Sequence, residues 1–171
     1  MTYRELDIEV ERMAHLLRSN GLAGGDRVAV MAPNLPQFVV AFWGAIRAGY
    51  VVVPMNPLLK GREAEYYLQD SGAKASIHDA TSVDSEVHSR ADGLVARWTI
   101  DTDPSPDRVP ADTDLDLALR SIVLGEPHDL GYLEPTNADD PAVLLYTSGT
   151  TGRPKGAVLT LRGEPDRPQE Q

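Results

Sequence analysis

Hydroxyls, glycines and a lysine crowd into one short stretch of this chain: Thr147, Ser148, Gly149, Thr150, Thr151, Gly152 and Lys155. They lie within Tyr146-Thr147-Ser148-Gly149-Thr150-Thr151-Gly152-Arg153-Pro154-Lys155-Gly156. Gly149, Gly152 and Gly156 permit positive φ and let the backbone approach a ligand closely. Successive N–H groups in such a turn point into one concavity and favour an anion. The hydroxyls add donors, and Lys155 adds a mobile positive charge. Pro154 restricts the far end. The chemistry this set suits is a grip on a polyphosphate.

Two familiar phosphate loops do not fit. A Walker A loop needs Gly-Lys followed by Ser or Thr, whereas Pro154 precedes Lys155 and Gly156 follows it. The dinucleotide fingerprint needs Gly-x-Gly-x-x-Gly opening a helix, and this stretch opens into a strand pattern. A plain polar hairpin turn is the bland alternative. Eleven specified positions in unbroken order favour the grip.

The elements on either side must position it. Residues 142–146 are short, apolar and bounded by turn residues, which predicts a buried strand, and 156–160 predict another. Upstream, Thr2 and Glu5 form a capping-box pattern before Leu6, Val10, Met13 and Leu17, which share a helix face. Gly21 and Gly24-Gly25 stop that helix, and 27–31 predict a buried strand. Asn34 and Gln37 are expected to cap a second helix with Pro36 in its first turn and Phe38, Phe42, Ala45 and Ile46 as its apolar stripe. Gly49 ends it, and the β-branched 50–54 predict a second strand. A helix over 62–69, a strand at 75–77, a helix over 82–90 and a strand over 97–100 continue the alternation. Residues 101–112 and 125–141 read as loops. Between them Thr113 and Asp116 are expected to cap a short helix with Leu115, Leu119 and Ile122 inward. This order predicts an α/β fold, a mostly parallel sheet flanked by helices on both faces.

Composition excludes other classes. With 171 residues, 42% hydrophobic and 25% charged, the chain fits one ordinary globular domain. No cysteine is present, so disulfides and thiol nucleophiles are ruled out. The net charge of -10 sits almost wholly in residues 79–140, where fifteen acids face four arginines. Such a chain repels nucleic-acid phosphates, and no nucleic-acid partner is expected. The stretch 38–54 is broken by Arg47, Gly44 and Gly49 and is too short for a transmembrane segment. The N-terminus lacks a signal-peptide pattern, and a cytoplasmic location is expected. His15, His78, His88 and His128 have no metal-ligand spacing, Trp43 and Trp98 read as core, and Asp139-Asp140 reads as a turn.

The loop residues resemble the signature of the adenylate-forming (AMP-binding) superfamily, which includes acyl-CoA synthetases, aryl-CoA ligases, peptide-synthetase adenylation domains and luciferase-like enzymes. Thr2-Tyr3-Arg4-Glu5-Leu6, Gly25-Asp26-Arg27-Val28-Ala29, Pro33-Asn34, residues 38–42 and Gly44-Ala45 match its opening pattern. So do Ala48-Gly49, Val53-Pro54-Met55-Asn56-Pro57 and Asp70-Ser71-Gly72-Ala73-Lys74. The wording is most similar to a bacterial fatty acyl-CoA ligase. That resemblance implies that a carboxylic (fatty) acid attacks ATP to give acyl-AMP and pyrophosphate, after which CoA takes the acyl group. It implies that residues 147–152 hold the phosphates, that Lys155 assists, and that Thr147 approaches Mg²⁺. In such sites one lost donor costs roughly 100- to 1,000-fold in rate.

The resemblance covers residues 2–160 and implies a partial N-terminal AMP-binding domain over 1–160. Residues 161–171, with Gly163, Pro165 and Pro168, diverge from it and are expected to be a disordered tail. The family's adenine segment, magnesium glutamate and catalytic lysine match nothing in this chain, so no catalytic residue is assigned. The expectation is a truncated or frameshifted ligase fragment, inactive alone, whose partial sheet exposes strand edges and apolar faces. The alternatives are a non-catalytic nucleotide- or partner-binding fragment and a remnant without function. The residues carry no signal for oligomeric state.

Overall fold

A computed structural model describes residues 1–80, 87, 92–101, 114–121, 137–147 and 153–162. In chain order the elements are α1 (Tyr3–Ser19), β1 (Arg27–Met31), α2 (Pro36–Arg47), β2 (Val51–Met55) and α3 (Gly61–Ser71). They continue as β3 (Ala75–Asp79), β4 (Ala96–Ile100), α4 (Leu115–Ser121), β5 (Pro141–Thr147) and β6 (Lys155–Thr160). The strands form one sheet in the order β4-β3-β1-β2-β5-β6. All neighbours are parallel except β5 and β6, which pair antiparallel. The expected α/β architecture is the observed one.

Alternation along the central strands divides the core into two layers. Val28, Val30, Val52, Ala75 and Ile77 face α1, α2 and α4, with Met13, Leu17, Ala41, Ala45, Leu115 and Leu119 packed on them. Ala29, Met31, Val53 and Met55 face the opposite way, toward Ala64 and Leu68 of α3. Burial on both faces explains why these strands read as unbroken apolar runs.

The start of α1 follows its sequence signal. The Thr2 hydroxyl accepts from the Glu5 N–H at 3.2 Å, and the Glu5 carboxylate accepts from the Thr2 N–H at 2.7 Å. α2 differs. Its N-cap is Leu35, in extended geometry and with no side-chain cap, rather than Asn34. A residue before proline is driven out of helical geometry, so the helix begins at Pro36, too far along for Asn34 to cap. Gln37 is the second helical residue and donates from Nε2 to the Asp116 carboxylate at 3.4 Å instead of capping. α4 is capped by Asp114, whose Oδ1 accepts from the Leu117 N–H at 2.8 Å, and Asp116 has no such role. Thr113 and Ile122 lie outside the described residues, as do most of 82–90 and residues 102–113 and 122–136.

Trp98 is core as expected, but Trp43 is 53% exposed. The buried face of α2 is Val40, Ala41, Gly44 and Ala45, and residue 43 falls on the opposite side of a 3.6-residue turn. Phe38, Phe42 and Ile46 flank that face, partly buried. β5 also departs from expectation. Of its residues only Ala142 is buried, and Leu145 is 41% exposed. Its run of apolar residues matches that of β1, but among the described residues β1 has helices on both sides and β5 does not.

Candidate phosphate-binding site

The eleven-residue stretch joins β5 to β6, so it emerges from the carboxyl end of a parallel strand. Ligands of open α/β sheets collect outside those ends. Ser148, Gly149, Thr150, Thr151 and Gly152 lie outside the described residues. The structure therefore places the neck of the loop. Thr147 closes β5, Lys155 opens β6, and the two are direct cross-strand partners. Arg153, Thr147 and Lys155 are all exposed, so a hydroxyl and two cations stand at one mouth. The pairing continues through Tyr146↔Gly156, Leu145↔Ala157, Leu144↔Val158 and Val143↔Leu159. Beyond β6, the Leu161 N–H donates to Asp140 O and the Arg162 N–H donates to Ala138 O. Asp139-Asp140 is a turn, as read: the Asp140 carboxylate accepts from the Asn137 N–H at 2.6 Å.

Gly156 does not adopt positive φ, contrary to the role expected for it. Its requirement is space. A Cβ there would stand 2.8 Å from Leu144 Cδ1 and 3.5 Å from the Tyr146 ring, across the hairpin.

The loop's neck is tied to α3, which the sequence reading did not connect to it. The Tyr146 hydroxyl donates to Asp70 Oδ2 at 2.6 Å. Its ring stacks on Tyr67, with centroids 4.3 Å apart and planes at 21°, and meets Tyr66 edge-on at 6.4 Å. The Tyr66 hydroxyl lies 3.3 Å from Asp70 Oδ1 and 3.2 Å from Pro154 O, one proton shared between two acceptors. Burial, and then the bond to Asp70, push the Tyr146 phenol well above its ordinary pKa. It therefore stays a donor at any neutral pH. One sequence signal did point here. Asp70 sits in the last turn of a helix, where a carboxylate opposes the helix dipole and needs another reason to be present.

The end of α3 is itself anchored. Gly72 takes the left-handed C-cap at φ 61°. Arg27 Nε donates to Ser71 O and its Nη2 to Gly72 O, both at 2.8 Å. The Gly25-Asp26-Arg27 and Asp70-Ser71-Gly72 motifs thus meet, a guanidinium offsetting the carbonyls at the helix end.

No group of three or more acidic or histidine side chains suited to a metal occurs among the described residues. Thr147 supplies a single neutral oxygen beside two cations, which is not a magnesium site in itself. Magnesium commonly arrives bound to substrate phosphates, and Thr147 fits only as an accessory ligand to a metal so delivered. A groove of about 500 Å³ between α1 and α2, lined by Tyr3, Leu6, Trp43 and Arg47, shares none of the loop's residues. No helix among the described residues is long and apolar enough to cross a membrane.

Comparison with known proteins agrees with this arrangement. The model of the family "AMP-binding enzyme" matches residues 1–163. The long-chain-fatty-acid–CoA ligase FadD13 of Mycobacterium tuberculosis is 38% identical over 164 residues, covering 94% of this chain and 29% of that ligase. A feruloyl-CoA synthase of Amycolatopsis is 39% identical over 160 residues, covering 94% of this chain and 28% of that synthase. The solved structure of ATP-bound MatB from Rhodopseudomonas palustris superposes with a TM-score of 0.76 at 29% identity, over 94% of this chain and 30% of that one. The chain thus spans under a third of the curated relatives it matches. With the hairpin neck at the carboxyl edge of the sheet and the family model spanning nearly all of its length, this chain belongs to the AMP-binding, adenylate-forming enzyme family.

Proposed function

We propose that this chain supplies the triphosphate grip of an ATP-dependent acyl-CoA ligase. In that reaction a carboxylate oxygen attacks the α-phosphorus of ATP, the bond to the bridging oxygen breaks, and pyrophosphate leaves. The thiol of CoA then takes the acyl group and releases AMP. Negative charge grows on the departing pyrophosphate, and donors already facing it lower the barrier without reorganising. The observation that carries the reading is the Thr147↔Lys155 pair at the mouth of the loop. It sets a hydroxyl donor and an ammonium on either side of one opening. Residues 148–152 supply the remaining donors, and magnesium comes with ATP as part of the substrate.

The acid substrate is a carboxylic acid of the fatty or aryl class, supported by relatives named for both kinds of CoA ester. ATP and CoA as substrates suit a cytoplasmic location. We assign no catalytic base or acid to this chain and expect it to bind nucleotide without completing the reaction. Titrating the chain with MgATP and with magnesium pyrophosphate in a calorimeter tests the grip. Saturable heat is expected, with affinity lowered about tenfold by Lys155→Ala, the loss of one charge-assisted contact. No saturable heat with either ligand overturns the reading. In ATP–pyrophosphate exchange with a panel of carboxylates, the chain alone is expected to be silent.

A further inference from the structure

We propose that Asp70 is the positioning residue for the phosphate loop, holding the entrance of its neck against α3 and orienting the tyrosine that meets its exit; the proposal rests on the grip assigned above.

The geometry is a bracket with two arms. One arm runs from Asp70 Oδ2 to the Tyr146 hydroxyl, at the 2.6 Å typical of a hydroxyl donating to an ionised carboxylate. Tyr146 immediately precedes Thr147, where β5 ends. The other arm runs from Asp70 Oδ1 to the Tyr66 hydroxyl and on to Pro154 O, immediately before Lys155. The carboxylate thereby fixes the entrance of the loop directly, and it orients the Tyr66 hydroxyl that meets the exit. Tyr67, stacked on Tyr146, blocks sideways movement of that ring.

The bracket is mounted on something rigid. Arg27, from β1, holds the Ser71 and Gly72 carbonyls directly after Asp70. β1 lies between β2 and β3, and four of its five residues are buried. The chain of contacts therefore runs from the core strand through Arg27 and α3 to Asp70 and the loop. The end of α3 offers Asp70 no charge partner, since it has no basic residue in its last turn and a carboxylate there faces the negative end of the dipole. Its contacts with Tyr146 and Tyr66 are what its placement provides. A grip whose donors must already face the phosphates needs such a fixed neck.

The test is hydrogen exchange of peptides spanning 144–157, read beside magnesium pyrophosphate affinity, for the full chain and for Asp70→Ala, Tyr146→Phe and the double variant. Asp70→Ala is expected to raise exchange at the neck by about tenfold, the factor a lost bond to a charged group corresponds to. Exchange in β1 and β3 should stay unchanged, and pyrophosphate affinity should fall in parallel with the neck's loosening. Tyr146→Phe keeps the stack on Tyr67 and loses the bond, and the double variant should add little to either single one. Unchanged exchange at the neck overturns the proposal, as does a rise spread evenly over the whole domain. If the neck loosens as expected while the unsubstituted chain shows no pyrophosphate binding, the bracket stands and the phosphate grip fails.

Discussion

The two ends of the sheet are built to different standards. In β1 and β3 nearly every residue is buried, and each joins its neighbours through four or five consecutive pairs. In β5 and β6 most residues are partly or fully exposed, and the hairpin joins the rest of the sheet through the single pair Val52↔Val143. The closely packed end holds helices and strands together. The open end carries the loop proposed to grip phosphate, and side-chain contacts to α3 supplement its backbone attachment. Close packing and the proposed ligand contact thus fall on different strands, the arrangement expected when functional loops lie on the less protected parts of a scaffold.

The sharpest way to break this contrast is to remove the same kind of group at each end. Ile77→Ala, at a fully buried position of β3, is expected to cost about 2–5 kcal/mol in urea unfolding. Val158→Ala, on a residue 36% exposed in β6, should cost under about 0.5 kcal/mol. Equal costs at the two sites would dissolve the distinction.

A second measurement uses pH and reads the packed end through one histidine. Burial, opposed by Asp79 and aided by Arg97, lowers the pKa of His78, in β3, from 6.5 to about 4. The folded chain therefore keeps this imidazole neutral where the unfolded chain protonates it. Its contribution is complete above pH 6.5 and is lost as pH falls toward 4, by about 3 kcal/mol at most. Unfolding free energies at pH 7 and pH 4.5 should differ accordingly, and His78→Gln should flatten the difference.

The third measurement concerns how closely the packed end is fitted. A Cβ on Gly44 would stand 2.5 Å from Met13 Cβ and 3.1 Å from Val10 O, where α1 crosses α2. Gly44→Ala is expected to destabilise by about 1–3 kcal/mol, although alanine is the better helix former. A rise in melting temperature for this variant would show that the two helices can part at small cost.

Much of this molecule was legible before folding was considered. The capping box at Thr2 and Glu5, the glycine stops at Gly21 and Gly49, and the β-branched runs are local signals set by backbone and side-chain sterics and hydrogen bonding. They placed α1, α3, β1, β2, β3 and β4 to within a few residues. The eleven-residue stretch resembles the family's signature, and the family model matching residues 1–163 bears that resemblance out. Asn34 failed as a cap because its neighbour Leu35 precedes a proline, a local rule that was readable but outweighed by the capping preference.

What the tertiary structure alone decided is which strands are covered and what holds the loop. As sequences, β1 and β5 are both short apolar runs, because hydrophobic periodicity reports a residue's chemistry and not its neighbours. Only the order β4-β3-β1-β2-β5-β6 makes one central and the other half of an exposed hairpin. Asp70 and Tyr146 are 76 positions apart, and no spacing rule links residues at that separation. Their meeting depends on α3 packing across the sheet, which is settled by the burial of Ala64 and Leu68 against Ala29, Met31 and Val53. The sequence alone points to the stretch proposed as the phosphate grip, and the packing of α3 determines what its neck touches.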